Sequence, residues 1–95
     1  MSLAIIGGNE CMEGKYKEIC KEYGHKVKVF TKAEGMIKKK IGTPDLLIMF
    51  TSTISHKMLN SALKEAKRSG IPVQYLKSSS GFALSALLDN YQSCN

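Results

Sequence analysis

The chain has 95 residues, 43% of them hydrophobic and 23% charged, which fits one small α/β-sized domain spanning 1–95 and excludes a disordered chain or two full domains. Its formal charge of +6 admits nucleic acid, an anionic surface or a small anion as partner without selecting among them. The three cysteines, Cys11, Cys20 and Cys94, are odd in number and lack Cys-x-x-Cys spacing, so reduced thiols are expected, with neither a disulfide framework nor a metal site.

Ser2 to Ile6 reads as a short apolar strand, ended by Gly7-Gly8-Asn9. Asn9 is a candidate N-cap, and Glu10 and Glu13 place negative charge where a helix dipole favours it. Met12, Tyr16, Ile19, Cys20 and Tyr23 recur at helical spacing, and Gly24 is placed to end that helix. Lys26 to Phe30 alternates charged and apolar residues, the pattern of a strand with one more exposed face. Thr31 to Gly35 reads as a loop and Met36 to Ile41 as a weak helical turn carrying Lys38-Lys39-Lys40. After Gly42-Thr43-Pro44, the stretch from Asp45 to Phe50 is the most apolar in the chain and is expected to be an internal strand. It breaks into Thr51-Ser52-Thr53-Ile54, and a helix opens at Ser55-His56 and runs to Ser69, with Met58, Leu59, Ala62, Leu63 and Ala66 inward and Gly70 closing it. Pro72 to Leu76 is the fourth strand, Lys77 to Gly81 a loop, and Phe82 to about Tyr91 the last helix.

Strands alternating with helices predict an α/β fold: a small doubly wound parallel sheet of four strands, order 2-1-3-4, in a Rossmann- or flavodoxin-like three-layer sandwich. No apolar run approaches the roughly 20 residues of a membrane helix. The N-terminal apolar run is too short for a signal peptide and lacks a basic flank, so a cytoplasmic location is expected.

In such sheets ligands bind beyond the carboxyl ends of the strands. Gly7 and Gly8, then Thr51, Ser52, Ser55 and His56, then Lys77, Ser78, Ser79 and Ser80 all fall at that edge. Glycines, hydroxyls, lysine and helix N-termini together make anion-binding chemistry, so the expected ligand is small and anionic or phosphorylated. Each part has a purely structural reading too: caps for the hydroxyls, a tight turn for Gly7-Gly8. Neither a dinucleotide fingerprint nor a Walker loop is present. His56, the only catalytic candidate, could bond a ligand, act as a general base, accept a phosphoryl group, or merely bond a loop carbonyl. His25 and Asp45 fall at the opposite edge, which removes a shared metal site or a Ser-His-Asp triad with His56. Phe82, Ala83, Leu84, Ala86, Leu87, Leu88 and Tyr91 cover more of the last helix than one sheet face can bury, which predicts a homodimer contact through 82–91.

The Ile5-Ile6-Gly7-Gly8 start, Tyr16 with Tyr23-Gly24, the Asp45 strand leading to Ser55-His56, and Lys77 to Gly81 together resemble the bacterial family of uncharacterised proteins DUF2325. The resemblance spans nearly the whole chain and implies a small Rossmann-like domain, with no implied activity or cofactor. Family members often carry a His-His-Asp-Gly-like segment after the second strand, where this chain has Val29-Phe30-Thr31-Lys32, and Asp and Cys where it has Ser52 and Thr53. The hydroxyls and lysines that stand here fit an anion better than a metal. Two rival functions stay open: a phosphoryl-transfer enzyme or carrier using His56, and a nucleic-acid or protein adaptor using the basic surface.

Overall fold

The computed structural model describes residues 1–31 and 42–93. Four parallel strands, β1 (Ser2–Ile6), β2 (Lys26–Phe30), β3 (Leu46–Phe50) and β4 (Val73–Leu76), stand in the order β2-β1-β3-β4. This is the strand order expected from the alternating pattern. The central position of β3 follows from its composition: all five of its residues are buried, as a strand covered on both faces requires.

Among the described residues, three α-helices cover the sheet: α1 (Glu13–Glu22), α2 (His56–Ser69) and α3 (Gly81–Ser93). On one face Leu3, Ile5, Leu46, Ile48 and Phe50 pack with Tyr16, Ile19 and Cys20 of α1 and with Leu84 and Leu88 of α3. On the other, Ala4, Ile6, Leu47 and Met49 pack with Met58, Ala62 and Ala66 of α2 and with Ile71. The period-2 alternation of β1 and β3 sends successive side chains to opposite layers, so both strands are apolar without a break. Burial pushes the Cys20 thiol up to about 11, which keeps it a neutral core residue.

The element ends differ slightly from the sequence expectation. Asn9 caps a short 3-10 turn over Glu10–Met12, its side chain accepting from Cys11 N at 3.1 Å, and α1 proper starts at Glu13. β3 starts at Leu46, and Asp45 just before it donates its N–H to Ser2 O and accepts from Ser2 N with its carboxylate, each at 2.7 Å. β4 starts at Val73 rather than Pro72, which has no N–H for the ladder. Pro72 still lends its carbonyl to Leu47 N at 2.9 Å. α3 starts at Gly81, one residue early. The expected helical turn at Met36 to Ile41, the Lys38-Lys39-Lys40 run and Cys94 lie outside the described residues.

The apolar surplus on α3 is smaller in the fold than along the sequence. α3 packs against α1 as well as the sheet, and Leu87 and Tyr91 join the same core from its margin. Tyr23 of the α1 C-terminus reaches across to Ser85, its hydroxyl donating to the carbonyl at 3.3 Å. What stays outside is Phe82, 84% exposed, with Ala86.

Candidate functional site

Among the described residues, three loops meet at the carboxyl edge of the sheet, and side chains fasten them to one another. The β1–α1 turn begins with Gly7, whose N–H donates to Phe30 O of β2 at 2.8 Å. Gly7 and Gly8 both have left-handed backbone, φ 91° and 88°. Gly8 N donates to Thr53 Oγ1 at 2.7 Å, and Thr53 in turn lies 3.3 Å from Phe50 O, to which it donates. One threonine thus joins the ends of β1 and β3, bridging the point where strand order reverses. Thr51 N donates to Leu76 O at 2.8 Å and its hydroxyl lies 3.4 Å from the same carbonyl. Ser52 Oγ donates to Lys77 O. These bonds join β3 to β4.

Tyr16 completes the ring. Its side chain is fully buried, with the ring stacked on Phe50 at 5.1 Å between centroids. A buried phenol needs a polar partner. Tyr16 Oη donates to Ser79 O at 2.5 Å and accepts from Asn9 N at 3.4 Å. So α1 reaches through the core to hold the β4–α3 loop against the glycine turn. Gly8 makes room for this: an added Cβ would stand 2.8 Å from Tyr16 Cε2 and 2.9 Å from its hydroxyl.

The ten residues singled out in the sequence separate by what their side chains already do. Ser55 caps α2, accepting from Met58 N at 3.3 Å. Ser80 does the same for α3, accepting from Ala83 N at 3.2 Å. Ser78 Oγ donates to Ser80 Oγ at 3.0 Å and accepts from Ser80 N at 3.3 Å. Thr51 and Ser52 tie the loops together, and Gly7 and Gly8 form the turn. His56, Lys77 and Ser79 remain: their side chains make no hydrogen bond or ion pair among the described residues. All three come from the β3–β4 side of the edge. The carboxylate of Glu13, which accepts from Thr31 Oγ1 at 2.5 Å, stands on the β2 side.

Sequence reasoning missed Thr53 and Tyr16. The order 2-1-3-4 makes the β1 and β3 loops neighbours, so a hydroxyl facing Gly7-Gly8 was findable. Tyr16 sits inside an apolar stripe, and nothing in that stripe announces its hydroxyl's partner. His25 lies at the far edge, its Nδ1 3.3 Å from the Met1 ammonium. Burial, and then that ammonium, hold His25 below its usual pKa. Among the described residues no three His, Cys, Asp or Glu side chains gather as a metal would need.

The family described as "Uncharacterized protein conserved in bacteria (DUF2325)" matches residues 2–91. The chain belongs to this family. The DUF2325 chain is also similar to a solved structure, the lactose-specific IIB component domain of the phosphoenolpyruvate:carbohydrate phosphotransferase system from Streptococcus pneumoniae. The two share 15% identity, with a TM-score of 0.60 over 98% of this chain and 95% of that one. At that identity the likeness is one of fold. No curated protein sequence matches the DUF2325 chain.

Proposed function

We propose that this chain is a small cytoplasmic α/β module that binds a small anionic or phosphorylated ligand at the carboxyl edge of its sheet. The observation that carries the reading is the trio His56, Lys77 and Ser79. They are the edge side chains left uncommitted on loops that Thr53, Ser52 and Tyr16 otherwise hold fixed. A cation, a hydroxyl and an imidazole beside the N-termini of α2 and α3 supply the donors that phosphate oxygens accept from. Gly7, Gly8, Thr51, Ser52, Ser55, Ser78 and Ser80 shape and support this cradle. The module works as a homodimer joined through α3, whose exposed Phe82 supports that reading.

Thermal unfolding against phosphate, nucleotides and sugar phosphates tests it. A ligand at about 100 times its dissociation constant adds roughly 2.7 kcal/mol. Each kcal/mol moves the midpoint by about 4–8 °C in a domain this small. The expected result is a clear shift with one phosphorylated compound, lost in His56→Ala and Ser79→Ala. Ser79→Ala is a clean probe because it keeps the carbonyl that Tyr16 uses. Unchanged binding in both variants would overturn the site.

A second reading makes His56 a phosphoryl acceptor. The similar fold from Streptococcus pneumoniae belongs by name to a phosphotransferase system, and that favours it. Incubation with phosphodonors followed by intact mass should then show one added phosphoryl group, absent in His56→Ala.

A further inference from the structure

Charge is unevenly divided among the layers. α1 is balanced, with Glu13, Glu18 and Glu22 against Lys15, Lys17 and Lys21, and α3 carries only Asp89. α2 holds four cations, Lys57, Lys64, Lys67 and Arg68, against the single acid Glu65.

Met58, Ala62 and Ala66 fix the inward face of α2. At about 3.6 residues per turn, Lys57, Asn60, Lys64 and Lys67 fall on the opposite side, flanked by Ser61 and Arg68. All six are exposed except Ser61, which is half-buried. A shallow, open depression lined by Lys57, Asn60, Ser61, Leu63, Lys64 and Lys67 follows this face. Glu65 stands to one side, 3.9 Å from Arg68. Lys57 lies in the first turn of a helix with no acid there, where the dipole disfavours a cation. Stability of the helix alone gives no reason for that placement.

We propose that the outer face of α2 docks on the phosphodiester backbone of duplex DNA without reading its sequence. The four cations span about 17 Å of helix axis at 1.5 Å per residue, one per roughly 4 Å, close to the roughly 3.4 Å charge spacing along one strand of a duplex. Asn60 and Ser61 add neutral donors for phosphate oxygens. The face has no aromatic residue, whereas surfaces for single strands stack bases on aromatics. A duplex hides its bases, so phosphates are what such a face can meet. The surface begins at Lys57, next to His56 of the strand-end cradle, but its test rests on Lys64 and Lys67, about two to three turns further along α2, so failure of one leaves the other standing.

The test is fluorescence anisotropy of a labelled DNA duplex across salt concentration. With about 0.9 counterions released per phosphate neutralised, the slope of log K against log salt should be about −3 to −4. Lys64→Glu with Lys67→Glu should flatten the slope by about 2 and weaken binding at about 50 mM salt by more than about tenfold. Lys17→Glu with Lys21→Glu on α1 should leave binding as it was, and circular dichroism checks that every variant folds. No duplex binding at low salt, or an unchanged slope in the α2 variant, would overturn the proposal. So would tighter binding of single strands, duplex RNA or anionic vesicles.

Discussion

Gly8→Ala is expected to destabilise the fold by about 3 kcal/mol, combining about 1–2 kcal/mol for an L-residue in left-handed backbone with about 1–3 kcal/mol for overpacking. Both causes act at one atom. The backbone has φ 88°, and the new Cβ would stand 2.8 Å from Tyr16 Cε2 and 3.1 Å from Phe50 Cδ2. Tyr16 cannot retreat, because its ring is stacked on Phe50 and its hydroxyl is anchored on Ser79 O. At about 4–8 °C per kcal/mol, thermal unfolding should show a drop of more than about 10 °C. Gly14→Ala is the contrasting case. Nothing lies within 4 Å of its added Cβ, and it sits in α1, where alanine gains about 0.5–1 kcal/mol over glycine. Equal stability of the Gly8 and Gly14 variants would contradict the described turn.

Tyr16→Ala should be the most damaging single change at the edge. It removes a fully buried ring, which costs about 3–5 kcal/mol for a large aromatic. That is a large share of the roughly 5–15 kcal/mol that holds a typical domain together. Tyr16→Phe separates the hydroxyl from the ring. It keeps the stack on Phe50 and strands the Ser79 carbonyl, at a cost of about 1–2 kcal/mol. Because that hydroxyl pins the β4–α3 loop, the phenylalanine variant should also bind the thermal-shift ligand more weakly while staying folded. Urea unfolding with a parallel binding curve checks both effects. Wild-type stability and wild-type affinity in Tyr16→Phe would remove the hydroxyl from the account.

The sheet was legible because each strand carries its own signal. The unbroken apolar run of β3 marks a strand covered on both sides, and Lys26 to Phe30 alternates as an edge strand does. Gly70 ends α2 in left-handed backbone, φ 69°, at the position the pattern indicated. What periodicity could not supply was the relation between elements. The apolar breadth of α3 reads as a surplus when only the sheet is set against it, yet α1 is the second wall. The hydroxyls of Thr51 to Ser55 look alike along the chain. Only the crossing of loops shows that Thr53 bonds Gly8 while Ser52 bonds Lys77 O. Composition marks a residue as able to hydrogen-bond; the neighbouring loop decides whether that capacity is already used.

The most direct test of the central claim is amide chemical-shift mapping of the isotope-labelled protein titrated with inorganic phosphate and then with the ligand found by thermal shift. Changes are expected to concentrate at Gly7 to Asn9, Thr51 to His56 and Lys77 to Gly81, the three loops joined by Thr53, Ser52 and Tyr16. Changes centred instead on the outer face of α2, or on the far edge around His25 and Asp45, would contradict a ligand site at the carboxyl ends of the strands.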